Sequence, residues 1–172
     1  MLLGRHVEWS LHSCLVLAEL PARGYISTSA LASLFHLPKE YLGKGLQVLS
    51  RAGILDKAMG PTGGYRLSKP AAQISVLDIV EALVGDRPTY QDTGLWRAVS
   101  KDGGGPQSGA CPVTEMMLAA DTAWRSSLRN ITLSELLSAA RRARSEGHSH
   151  YLRKFGYSDF SVETHFTETR PR

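Results

Sequence analysis

The 172-residue chain has only two cysteines, Cys14 and Cys111, too few for a disulfide framework and too far apart for any short metal-binding motif. That scarcity points to a reducing compartment. No run approaches the roughly 18 apolar residues of a membrane span. His6, Glu8 and His12 interrupt the N-terminal segment, so no apolar signal-peptide core forms. The expectation is a cytoplasmic protein with no membrane partner. Catalytic signatures are missing as well: no nucleophile is paired with a base, no phosphate-cradling glycine motif precedes a helix, and no zinc-protease spacing occurs. An enzyme is therefore not expected. Neither charge sign dominates. With 20 Lys and Arg against 16 Asp and Glu, the net +4 favours polyanionic partners only mildly.

What is present suffices for a core, since 42% of the residues are hydrophobic. Val7, Leu11, Cys14, Leu15 and Ala18 recur at helical spacing over 7–19, and Pro21 with Gly24 ends the pattern. A second, short helix is predicted from Thr28 or Ser29, either of which can cap it, through Phe35. Pro38 suits the first turn of a third, over Lys39 to Arg51, closed by Ala52-Gly53. Two extended segments follow, 54–58 and 65–67, separated by a turn rich in glycine, and then a helical run from Ile74 to Leu83 that Ser75 can cap.

Gly94, the triplet Gly103 to Gly105, Pro106 and Gly109 predict a flexible loop over 86–110. Past Cys111, with Pro112 at its first position, Val113, Met117, Ala120, Trp124 and Leu128 step by three or four, which gives a longer amphipathic helix whose apolar face wants a partner. Thr132 and Glu135 fit a capping box for a last short helix. From Arg141 the composition shifts to Arg, Ser, His, Gly and Thr, the signature of a weakly structured tail or one docked only locally.

Helix, short turn, helix and then a glycine-turned hairpin is the order of a winged helix-turn-helix, whose second helix enters the major groove of DNA. The local chemistry agrees. Lys39, Lys44 and Arg51 on the third helix, with Lys57, Arg66 and Lys69 around the hairpin, stand against Glu40 and Asp56. Tyr41 and Gln47 add hydrogen-bonding groups; a Gln can read an adenine edge and a Lys a guanine.

The run from Lys39 through Leu67 contains Glu40-Tyr41-Leu42, Leu49-Ser50-Arg51-Ala52-Gly53-Ile54-Leu55 and Gly60-Pro61-Thr62-Gly63-Gly64-Tyr65-Arg66-Leu67. It resembles the bacterial winged-helix regulators of the IscR and NsrR type, the Rrf family, with the Gly-Gly-Tyr wing turn its most specific element. The resemblance extends over about 7–137 and implies a homodimer paired through the long helix. It also implies DNA contacts from Lys39, Glu40, Tyr41, Lys44, Gln47 and Arg51 and from Gly60, Pro61 and Thr62 of the wing. Met59 stands where such proteins often carry an arginine aimed at the DNA, with Lys57 as a substitute.

Many members of that family hold an iron-sulfur cluster through three cysteines in the loop before the long helix. Here the loop has none, and only Cys111 remains. A second resemblance, of Glu8-Trp9 and His12 to the redox-responsive branch typified by RsrR, implies a two-iron two-sulfur cluster. Glu8 and His12 would come from one subunit and Cys111 from the other. The spacing permits it, because positions four apart lie about 40° from each other on one helical face. A thiol at a helix N-terminus also favours its thiolate. An i, i+4 Glu and His pair is, taken alone, commonly just a solvated face.

The expected architecture is mainly α: a winged helix-turn-helix DNA-binding domain over 1–85, a sensor loop over 86–110, a dimerisation helix and short closing helix over 111–140, and a tail over 141–172. The expected function is transcription regulation as a repressor or activator on a palindromic double-stranded operator, responding to redox state or a bound metal. The alternative is a cluster-free regulator that senses a small molecule or partner protein.

Overall fold

The computed structural model describes residues 3–21, 24–60, 63–96, 98, 111–145 and 166–168. Helix α1 (Arg5–Ala18) lies at the centre, packed by strand β3 (Gly64–Leu67) and by helices α3 (Lys39–Arg51), α4 (Val76–Val84) and α6 (Leu133–Ser145). A single apolar stripe is too narrow a description of α1. Val7, Cys14, Val16 and Leu17 are buried, and so are Ser10 and Ser13. The serines are small enough to let neighbouring helices approach, and the Ser13 hydroxyl satisfies itself on the Trp9 carbonyl at 2.8 Å. A Cβ added at Gly45 of α3 would lie 2.6 Å from Ser10 Oγ, which marks how closely the two helices cross.

Helix α2 (Thr28–Phe35) is capped by Ser27 rather than by Thr28 or Ser29. Ser27 is extended, at φ −72° and ψ 154°, and its Oγ accepts from the Ala30 amide at 3.1 Å, which makes Thr28 the first helical residue. The helix closes with His36 in the left-handed region, φ 52°, while the Leu37 amide donates to the Ala32 carbonyl. Pro38 then caps α3 from outside instead of occupying its first turn. At the other end Gly53, φ +72°, donates to the Ser50 carbonyl and Ile54 to that of Leu49. This Schellman closure drops Ile54 into the core beside Leu42, Leu46 and Leu49.

The hairpin forms as expected from strands β2 (Leu55–Ala58) and β3, paired antiparallel with Leu55 opposite Leu67 and Lys57 opposite Tyr65. A strand the sequence did not suggest, β1 (Gly24–Ile26), pairs with β3, and β4 (Phe166–Glu168) pairs with the other edge of β1. The sheet order is β2-β3-β1-β4.

Helix α4 begins after Ile74, with a full capping box between Ser75 and Asp78. Beside it, Thr132 and Glu135 form the expected box at the head of α6. Backbone bonds tie the two helix starts together, Val76 to the Ile131 carbonyl and Leu133 to that of Ile74, both at 2.8 Å. Helix α5 (Pro112–Arg129) packs on α4 through Trp124 and Leu128, but Val113 and Ala120 of the expected stripe stay exposed. Helix α6 runs to Ser145, past the expected boundary at 140, because Ala and Arg favour helix and Arg141 pairs with Glu19 of α1 at 3.1 Å. The fold is thus mainly helical with a small antiparallel sheet, a winged helix. Among the described residues no helix is long and apolar enough to cross a membrane.

Candidate nucleic-acid interface and sensor site

Because α3 buries Leu42, Gly45, Leu46 and Leu49 on one side, its opposite side must face solvent. Glu40, Lys44, Gln47 and Arg51 form that outer stripe, within about 60° of one another at about 100° per residue. Lys39 and Tyr41 flank it, and all six are exposed. Tyr41 leaves 64% of its surface open, with Lys44 Nζ 5.6 Å from its ring centroid, so a cation and an aromatic are presented together. With the flanking Lys39, three cations stand against one carboxylate, a balance suited to phosphates, and Gln47 with Lys44 supplies groups able to read base edges.

The wing is shaped by carbonyls that exclude side chains. A Cβ at Gly63 would run into the Ala58 carbonyl and one at Gly64 into that of Ile26, so both positions must be glycine for the strands to close. Gly60 sits at φ +108° and its carbonyl accepts from the Gly63 amide at 3.0 Å. Pro61 and Thr62, also expected to touch DNA, lie outside the described residues. Met59 is 82% exposed at the tip. Of the wing cations, Lys57 and Lys69 are exposed, whereas Arg66 is engaged internally. It pairs with Asp56 across the strands at 3.0 Å and lies 4.9 Å from the Tyr25 ring centroid. Its role is to brace the wing against β1.

Glu8 and His12 do share one face of α1. With Trp9, Phe35 and Leu37 they line a cavity of about 100 Å³. His12 lies 6.2 Å from Phe35, ring to ring, and burial lowers its pKa while Glu8 opposes that shift, which favours the neutral, ligand-competent imidazole. Cys111 is the N-cap of α5, where the Thr114 backbone N–H, foremost among several influences, lowers the thiol pKa. Cys14, by contrast, is fully buried and pushed up to about 12, so it is an inert core residue. Among the described residues no three His, Cys, Asp or Glu side chains gather to hold a metal, so Glu8 and His12 do not meet Cys111 within one chain.

Sequence reasoning missed a polar cluster at the joint of α4 and α5. Asp121, the buried carboxylate of α5, accepts from Arg125 at 2.8 Å and from the Thr89 amide and hydroxyl. Arg125 also reaches Glu81 of α4 and the Arg87 carbonyl. The i, i+4 spacing of Asp121 and Arg125 was the available signal.

The sequence profile of the Rrf2 family, described as iron-dependent transcriptional regulators, matches residues 3–139. YwgB of Bacillus subtilis, an HTH-type transcriptional regulator by its name, is 25% identical over 131 residues, covering 76% of this chain and 81% of its own. CymR, the global cysteine regulator of B. subtilis, shares the fold at a TM-score of 0.65 and 21% identity, over 81% of this chain and 98% of its own. T. potens IscR does so at 0.59 and 22%, over 84% and 91%.

Proposed function

The chain belongs to the Rrf2 family of transcriptional regulators, and on that footing we propose that it is a homodimer that grips a palindromic operator with two copies of α3 and adjusts its hold to redox state or a bound metal. Its relatives are DNA-binding regulators and not enzymes, and so is this chain. The reading is carried by the exposed α3 stripe of Glu40, Lys44, Gln47 and Arg51, flanked by Lys39 and Tyr41; the wing that turns at Gly60 would touch the flanking DNA backbone. Two unpaired thiols suit a reducing cytoplasm.

Dimerisation is supported by the outer face of α5. Val113, Met116, Ala120 and Ala123 are spaced by three, four and three, the period of a coiled-coil seam, and all are exposed, Val113 by 54% and Met116 by 61%. Alanines at two of the positions let a partner helix come close. Such a dimer places its recognition helices about one turn of DNA apart, roughly 34 Å.

Sensing is assigned to Glu8 and His12 of one subunit with Cys111 of the other, the pattern of the RsrR branch. The donor chemistry fits a metal: a carboxylate, an imidazole held neutral and a thiol eased towards thiolate. Three donors are one short of the four a two-iron two-sulfur cluster takes, so a complete cluster site needs a further ligand. A bound cluster would supply a charge that changes with redox state. Phe35, which ends α2, and Leu37, in the turn that leads into α3, wall the cavity beside Glu8 and His12, so an occupant there would touch the helix-turn-helix.

A second reading, a regulator without a cofactor, is favoured by one observation: with Cys14 sealed in the core, Cys111 is the one thiol left to serve. Anaerobic purification followed by a visible spectrum with iron and sulfide assays separates the two. Charge-transfer bands lost in Cys111→Ala, with dimerisation intact, support the cluster; a colourless, iron-free wild-type protein that still binds DNA supports the second reading.

A further inference from the structure

The Arg125 guanidinium uses each of its nitrogens on a different segment: Nε on Asp121 of its own helix at 2.8 Å, Nη1 on Glu81 of α4, and Nη2 on the Arg87 carbonyl at 2.6 Å. Asp121 is equally committed. Its Oδ2 takes Arg125, and its Oδ1 takes both the hydroxyl and the amide of Thr89, at 2.8 and 3.2 Å. The Arg125 and Asp121 side chains are 14% and 7% exposed, while Glu81 keeps 29% of its side chain open and Thr89 lies at the surface. A polar network of this kind contributes little net stability but favours one geometry, because a rotation of α5 on α4 breaks several of its bonds at once.

That joint lies between the two functional surfaces. Helix α4 packs on the recognition helix α3, and α5 carries the exposed seam assigned above to the subunit contact. We propose that Arg125 is a positioning residue that fixes the separation of the two recognition helices, and that the Thr89 bonds to Asp121 let the segment following α4 adjust it. This inference rests on the homodimer reading. It makes Arg125 matter for the spacing of operator half-sites and not for recognition of either half.

The test uses the full chain and duplexes carrying two half-sites, selected from random DNA by the wild-type protein, with the spacing between halves then varied one base pair at a time. Arg125→Met and Thr89→Val are compared with wild type for affinity at each spacing, affinity for an isolated half-site, melting temperature and sedimentation. Arg125→Met is expected to stay dimeric, keep half-site affinity, lose about tenfold at the preferred spacing and bind the others nearly as well, that is, about 1.4 kcal/mol of spacing preference. Thr89→Val, which deletes one hydroxyl and leaves the fold intact, is expected to flatten the profile in the same direction by a smaller factor. A dimeric Arg125→Met with the wild-type spacing profile overturns the inference and leaves the dimer standing. If that variant fails to fold, an unchanged profile in Thr89→Val overturns it instead. A monomeric wild-type protein overturns the homodimer reading and the inference with it.

Discussion

Gly64 of β3 lies so close under the Ile26 carbonyl of β1 that no side-chain carbon fits between them. The contact joins the wing hairpin to β1, the strand that leads into the helix-turn-helix, and the obstacle is backbone, which cannot rotate away. Gly64→Ala is therefore expected to cost about 1–3 kcal/mol, the usual range for overpacking, and to weaken operator binding through a displaced wing. Urea denaturation gives the first quantity and fluorescence anisotropy with operator DNA the second.

Lys44 and Tyr41 stand together on the outer side of α3. Lys44→Ala is expected to weaken operator binding by roughly 1–3 kcal/mol at unchanged melting temperature, and Tyr41→Ala to weaken it as well. If Lys44 meets a phosphate, the salt dependence of affinity drops by about one counterion; if it reads a base, discrimination at one position relaxes while the slope holds. Unchanged affinity in a folded Lys44→Ala protein removes α3 from the interface.

His36 occupies the left-handed region that glycine tolerates best. It is exposed at the turn between α2 and α3, so little packing is lost on replacing it. His36→Gly is expected to raise stability by about 0.5–1 kcal/mol, the relieved backbone strain outweighing the added freedom of the unfolded chain. His36→Val is expected to lower it. Chemical denaturation of the two variants against wild type measures both signs.

Burial lowers the His12 pKa below its ordinary 6.5, with the nearby Glu8 working in the other direction. Between the lowered folded value and 6.5 the unfolded chain binds more protons, so stability rises with pH across that window. It is fully present above 6.5 and falls as acid is added. His12→Gln should flatten this part of the stability profile, and an equally steep slope in that variant assigns the proton uptake elsewhere.

The winged helix was legible because its parts announce themselves locally. Pro38 and the Ala52-Gly53 stop bound α3, the apolar period fixes which side is buried, and Gly63-Gly64 marks the hairpin. Strand β1 was hidden, since three residues between a helix stop and a helix cap carry no period, and its partners lie far away in sequence. The apolar steps of α5 were visible, but not that they divide. Trp124 and Leu128 serve α4, whereas Val113 and Ala120 are left for another surface. Composition misjudged the start of the tail, because the arginines and alanines that look like a solvated segment also favour helix, and Arg141 finds Glu19 across 122 positions. At the candidate sensor site the spacing of Glu8 and His12 put both on one face, while the walls contributed by Phe35 at the end of α2 and Leu37 of the following turn come only from the fold.

A dimer that reads a two-fold DNA site through α3 is tested most directly by selecting bound duplexes from random DNA with the 172-residue chain and titrating the recovered sequences. The expected result is a palindrome with half-site centres about one helical turn apart, bound by two chains, with binding lost on Lys44→Ala. Recovered DNA with no shared sequence, bound no more tightly than random duplex, would contradict it.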